Sequence, residues 1–258
     1  MKPGKFGLIG HPIAHSLSPA LFKAGYDGRY PYELIETDDF EEAYRRFLEG
    51  YDGINVTAPF KELAFAKADI LSEECKAIGA TNLMIKTPEG VKAYNSDYLG
   101  VKMWLEGVNA EPCSASRKAS ILIVGTGGAG KAAAAAAESL GMTVIRMNRT
   151  VRDDVTRPLD DFRVCFREAD TVIYNIPTAI SALDELTAED FNPGKPKHIL
   201  EANYKNPSFK DTLIERMKNA NPLARYTGGK TWLLYQAVTG YEIFTGEKPD
   251  LGKMSDVL

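Results

Sequence analysis

Short apolar runs alternate with longer stretches of helical period along most of the chain. The run FGLIG (6–10) predicts a first strand, and a helix is expected from Ser18-Pro19, where a hydroxyl precedes a proline suited to the first helical turn. YELIETD predicts a second strand, DDFEEAYRRFLEG an acidic-capped helix ending at Gly50, and GINVTAP a third strand closed by Pro59. KELAFAKADILSEECKAIG then predicts one helix closed by Gly79, and TNLMIKTPEGVKAYN two strands joined by a Pro-Glu-Gly turn. YLGVKMWLEG is helical in pattern. Strands alternating with helices build parallel sheets covered by helices, so the fold class is α/β.

The period breaks at GVNAEPCSASRKAS (107–120), where small and polar residues with a proline mark a domain boundary. Beyond it, ILIVGTGGAGKAAAAAAESLG is a strand, a glycine turn and a helix, and TVIRMNRT, TVIYNI and HILEA are further strand-like runs. A second α/β unit follows from these.

Bulk properties narrow the chemistry. A chain of 258 residues, 44% hydrophobic and 26% charged, is long enough for one large domain or two medium ones. A net charge of −4 with no Lys/Arg-rich run offers no basic field, so nucleic acid is not an expected partner. Cys75, Cys113 and Cys165 are odd in number and lack a CxxC pattern, and His11, His15 and His198 show no zinc spacing. No metal is expected. The opening MKPGKFGLIGHPIAHS breaks with Gly and Pro before a signal-peptide core forms, and no apolar run reaches spanning length. A soluble cytoplasmic protein without a membrane partner is therefore expected.

The clearest motif is ILIVGTGGAG, with Gly125, Gly127 and Gly130 as G-x-G-x-x-G between an apolar strand and a helix. Glycines there allow the tight turn and close backbone approach to a pyrophosphate, whose charge meets the helix N-terminus. Gly128 and Ala129 complete the candidate cradle. An NAD site usually carries Asp or Glu about 20 residues on, to bind the ribose 2′-hydroxyl. Here that strand ends in Asn148, Arg149 and Thr150. A guanidinium suits a 2′-phosphate, so the expected cofactor is NADP, although Asp153 or Asp154 on a bent loop could instead reach the ribose.

Lys61 stands just past the third strand, where α/β sheets collect ligands; a solvated first-turn lysine is the alternative. Ser16 and Ser18, at alternate positions after the first strand, could face one hydroxylated or carboxylate ligand, or Ser18 could be a helix cap. Asp97 could be a plain N-terminal helix residue favoured by the dipole.

Together, the ordered segments HSLSPALFK, NVTAPFK, GATN, NSD, GTGGAG, NRT and GGKTWLLYQA resemble the shikimate dehydrogenase family, which reduces 3-dehydroshikimate with NADPH. The resemblance spans nearly the whole chain. It implies Lys61 and Asp97 as the catalytic pair, and Ser16, Ser18, Thr57, Asn82, Tyr204 and Gln236 around the substrate. It also implies a split substrate domain, residues 1–106 with 231–258, and a Rossmann-like NADP domain, residues 107–230, in a monomer or homodimer. Several positions depart from the family pattern: Phe22-Lys23, Leu83, Tyr98, YNIPTAI (174–180), Trp232, and a short segment after NRT. Two alternatives stay open, a relative acting on quinate with NAD and a nucleotide-binding regulator without turnover.

Overall fold

The computed structural model describes residues 4–109, 118–151 and 153–258. The chain divides into two compact units, Met1–Gly100 with Leu234–Leu258, and Val101–Leu233. Residues 110–117 of the expected linker, Cys113 among them, lie outside the described residues.

The first unit runs β1 (Phe6–Gly10), α1 (Ser18–Gly25), β2 (Tyr32–Glu36), α2 (Phe40–Gly50), β3 (Gly53–Val56), α3 (Lys61–Lys67), β4 (Ile70–Leu71), α4 (Glu73–Ile78), β5 (Leu83–Thr87) and β6 (Gly90–Tyr94), then enters α5 (Ser96–Asn109). Its sheet has the order β2-β1-β3-β5-β6-β4. β1 pairs in parallel with β2 and β3, while β5 is antiparallel to both β3 and β6. Ile9, Ile35, Ile54, Val56 and Met84 from the strands pack with Phe40, Ala43 and Phe47 of α2 into one buried core. Asp39 caps α2 by accepting from the Glu41 and Glu42 N–H groups, which uses the N-cap preference for a short acceptor side chain.

The single helix expected over residues 61–79 is two helices with a strand between them. α3 stops at Lys67, β4 pairs in parallel with β6, and α4 starts after Ser72. The Asp69 carboxylate accepts from the Val91 N–H at 2.8 Å, and the Ser72 N–H donates to the Ala93 carbonyl. Pairing with a sheet edge overrides the helix-forming composition of that segment. Gly79 does close α4, in the left-handed region at φ 73°.

The second unit contains β7 (Ser120–Val124), α6 (Gly128–Ser139), β8 (Thr143–Asn148), β9 (Thr156–Pro158), α7 (Phe162–Glu168), β10 (Thr171–Tyr174), β11 (Lys197–Glu201), α8 (Asp211–Ala220) and β12 (Ala224–Thr227). The chain finishes with α9 (Gly229–Thr245) and α10 (Leu251–Ser255); the division between units falls inside α5 and α9. All strands of this sheet are parallel, in the order β12-β11-β10-β7-β8-β9. Counted along the chain this is 3-2-1-4-5-6, the dinucleotide-binding order, with its reversal between β7 and β10. Leu122, Val124, Val172, Tyr174 and Ile199 form the core with Phe162 and Phe166 of α7. Among the described residues no helix stands between β8 and β9.

Among the described residues no helix is long and apolar enough to cross a membrane. None of their His, Cys, Asp and Glu side chains gather in a group of three or more that could hold a metal.

Candidate active site

In the first unit, β1 and β3 are neighbours, so the loops at their carboxyl ends lie side by side. A Cβ on Gly10 would sit 2.4 Å from the Thr57 side chain and 2.7 Å from that of Ile13, which is why the end of β1 must be glycine. The His11 N–H donates to the Ala58 carbonyl at 3.2 Å and joins the two loops. This brings the segment of Ser16 and Ser18 beside that of Thr57 and Lys61.

The hydroxyl that meets the start of α1 belongs to Ser16. The Ser18 N–H donates to Ser16 Oγ at 3.2 Å, and Ser18 is already the first helical residue, with no side-chain cap on the helix. Ser18 is therefore not a helix cap. Ser16 Oγ donates to Ser18 Oγ at 3.1 Å, so the two hydroxyls form one polar cluster.

Lys61 is the first residue of α3, where the helix dipole disfavours a cation. Its placement is explained by its partner instead. Lys61 Nζ donates to Asp97 Oδ2 at 2.6 Å, with side-chain exposures of 28% and 12%. Asp97 lies in the first turn of α5, the end of a helix that favours a carboxylate. The helix start is held by two asparagines: Asn95 Oδ1 accepts from the Tyr98 N–H at 3.1 Å, and Asn82 Oδ1 accepts from the Ser96 N–H at 2.7 Å. Asn82 is thus buried beside the pair, with its carbonyl oxygen committed to α5.

Gln236 reaches the same region through α9. A Cβ on Gly100 would lie 2.6 Å from the Gln236 backbone nitrogen, so α5 and α9 touch backbone to backbone there. One turn and a half further along α9, Tyr241 donates its hydroxyl to the Ser18 carbonyl at 3.1 Å. Burial pushes the phenols of Tyr32 and Tyr241 well above their ordinary range, so both remain neutral hydroxyls near Ser18. The first unit therefore brings together Ser16, Ser18, Thr57, Lys61, Asn82, Asp97 and Gln236. Tyr204 lies in the second unit, in the loop after β11.

The sequence pattern did not single out Asn55, Tyr32 or Asn95. Tyr32 donates to Asn55 Oδ1 at 2.8 Å, and Asn55 Nδ2 reaches the Asn82 carbonyl at 3.4 Å. An asparagine inside the β-branched run of β3 is the signal, since a polar amide in a mostly buried strand requires partners. Phe22 is fully buried and packs at 4.8 Å on both Tyr32 and Tyr241; Leu83 is fully buried too. Those two departures from the family pattern are core residues.

The second unit carries the glycine turn at the reversal of its sheet. Gly125 has φ 93°, which a side chain resists, and a Cβ on Gly130 would stand 1.9 Å from the Gly125 carbonyl oxygen. Gly127 precedes α6 and no side chain caps that helix, leaving the N–H groups of Gly128, Ala129 and Gly130 facing the turn. Asn148 Nδ2 donates to Thr126 Oγ1 at 2.8 Å, tying the end of β8 to the turn. Arg149 and Thr150 follow, both exposed. Asp153 is spent on its own loop: Oδ1 accepts from the Val155 and Thr156 N–H groups, and its carboxyl is held below the usual range, chiefly by Thr156. The arrangement fits a dinucleotide whose pyrophosphate lies on the turn.

The substrate binding domain model of shikimate dehydrogenase matches residues 8–84, and the NAD binding domain model of D-isomer specific 2-hydroxyacid dehydrogenase matches residues 81–200. A shikimate dehydrogenase of Thermotoga petrophila is 37% identical over 57% of this chain, and the match spans 56%, about half, of that relative's length. The NADP(+) shikimate dehydrogenase of Dinoroseobacter shibae is 28% identical over 95% of this chain and 93% of its own. The structure of shikimate 5-dehydrogenase from Thermus thermophilus, in complex with NADP(H) and shikimate, superposes with a TM-score of 0.76 at 27% identity, covering 98% of this chain and 97% of that one. Over nearly its whole length the chain is similar to shikimate dehydrogenases. Quinate dehydrogenase from Corynebacterium glutamicum, in complex with NAD, has a TM-score of 0.80 at 21% identity, over 99% and 98% of the two chains, and shares the fold.

Proposed function

We propose that this protein is an NADP-dependent oxidoreductase that interconverts shikimate and 3-dehydroshikimate. The observation that carries the reading is the Lys61–Asp97 contact beside a cluster of hydroxyl and amide side chains. The relative of Thermus thermophilus named for NADP(H) and shikimate supports it, as do relatives named for NADP(+).

NADPH, when bound, supplies the hydride that reduces a ketone. The protein must then stabilise negative charge on the substrate oxygen and deliver a proton to it. The Lys61 ammonium can do both, and the Asp97 carboxylate orients it and opposes loss of its proton. In the reverse direction the same pair takes the proton from the hydroxyl being oxidised. Ser16, Ser18, Thr57, Asn82 and Gln236 are the proposed contacts to the carboxylate and ring hydroxyls, and Tyr204 is a further proposed substrate residue. Gly125, Gly127, Gly128, Ala129 and Gly130 are the proposed pyrophosphate cradle, and Asn148, Arg149 and Thr150 the 2′-phosphate contacts. Residues 1–106 with 231–258 are accordingly the proposed substrate domain, and residues 107–230 the proposed cofactor domain.

Initial rates with shikimate and with quinate, each paired with NADP and with NAD, test the reading. Fastest turnover with shikimate and NADP is expected. Preference for quinate with NAD would replace it, and absence of turnover in all four pairings would make the chain a binding protein.

A further inference from the structure

Asn175 is the first residue past β10, and both polar atoms of its side chain, Oδ1 and Nδ2, are buried without a hydrogen-bond partner. Buried amides are almost always paired, so an orphaned one needs an explanation. Its backbone is fixed by the sheet: the Asn175 N–H donates to the Val124 carbonyl at 2.8 Å, extending the pairing of β10 with β7. The side chain is set against the glycine turn. A Cβ on Gly130 would lie 3.6 Å from Asn175 Nδ2, and one on Gly125 would lie 3.4 Å from Asn175 Cβ.

These positions coincide with the reversal of strand order, the point where a ligand crosses an open parallel sheet. Asn148, Arg149 and Thr150 end the strand on one side of β7 and are assigned to the adenosine half. β10 is the strand on the other side. A dinucleotide with its pyrophosphate on the Gly125–Gly130 turn must therefore pass Asn175 next, with its second half.

We propose that Asn175 is a contact residue for the nicotinamide-side phosphate and ribose, and that its carboxamide gains its hydrogen bonds from the bound dinucleotide. The inference rests on the dinucleotide reading of the glycine turn. A carboxamide is both donor and acceptor: Nδ2–H is matched to a phosphate or ribose oxygen, and Oδ1 to a ribose hydroxyl. Leucine has a similar volume and can do neither.

The test uses the full chain and its Asn175→Leu and Asn175→Ala variants. Calorimetric titration measures the affinity for NADP and for 2′,5′-ADP, which lacks the second half, and a thermal melt without ligand measures stability. For Asn175→Leu, NADP binding is expected to weaken by about 10-fold or more, with 2′,5′-ADP changed by no more than about 2-fold. The ligand-free midpoint should stay level or rise, because an unpaired buried amide is replaced by apolar atoms. Asn175→Ala should show the same division between the two ligands, whatever its stability. Unchanged NADP affinity in a folded variant overturns the proposal, as does an equal loss for both ligands, which would mean that the amide only shapes the turn. If the wild-type protein binds neither ligand, the dinucleotide reading itself fails, a result distinct from either.

Discussion

Lys61 Nζ and Asp97 Oδ2 meet at 2.6 Å, joining the first residue of α3 to the first turn of α5. The two residues are far apart in sequence, and each alone has an ordinary explanation. Their contact does not. A lysine at the dipole-disfavoured end of a short helix, partly exposed and held by a carboxylate, is not explained by helix stability, and the proposed function rests on it.

If the pair acts as a unit, its losses are not independent. Asp97→Asn is expected to slow shikimate oxidation by about 10²-fold or more while leaving NADP affinity unchanged. The double variant with Lys61→Met should lose far less than the product of the single losses. Steady-state kinetics of the three variants measures this, and fully multiplicative losses would mean two separate contributions.

Arg149→Ala removes the guanidinium assigned to the 2′-phosphate. The Michaelis constant for NADP should rise by about 10- to 100-fold, the worth of a charge-assisted hydrogen bond, with a much smaller change for NAD. Equal changes for both cofactors would place Arg149 away from the phosphate.

Ser16→Ala and Gln236→Ala each leave a substrate group unpaired under the proposed reading. Shikimate affinity should fall more than NADP affinity in both, as determined by titration of each ligand. A loss confined to NADP would put these residues at the wrong ligand.

Asp190 supports the second unit against acid. Burial by itself would raise its pKa, but the Thr187 N–H at 2.7 Å and the guanidiniums of Arg167 and Arg163 outweigh that and hold the carboxyl well below its usual range. An unfolded aspartate titrates near pH 4, so the stability contributed is present above about pH 4 and is lost as pH falls toward the folded value. Asp190→Asn should lower the neutral-pH thermal midpoint by several degrees, a loss of about 2–3 kcal/mol, and flatten the acid limb of the stability profile. An unchanged acid limb would show that the ion pairs contribute nothing.

What was legible in the sequence was local. The strand, glycine turn and helix at ILIVGTGGAG follow from backbone geometry that few other residues allow, and the structure has β7, Gly125 at φ 93° and α6 there. Lys61 was visible because it breaks the character of the strand before it. What was hidden depends on pairing between distant segments. Nothing within KADILS announces β4, because its partner is β6 some twenty residues on. Ser18 reads as a cap until Ser16 is seen to accept its N–H. Asn175 looks like an ordinary polar residue in YNIP until the reversal of strand order places it against the glycine turn.

The most direct measurement is NADPH formation from shikimate by the wild-type protein and by Lys61→Met, a change that keeps much of the stem and removes the charge. The account predicts NADP-dependent turnover by the wild type, and a folded variant that binds NADP normally but turns over about 10²–10⁴-fold more slowly. A folded Lys61→Met protein with wild-type turnover would contradict it, and Lys61 would then be a solvated surface residue.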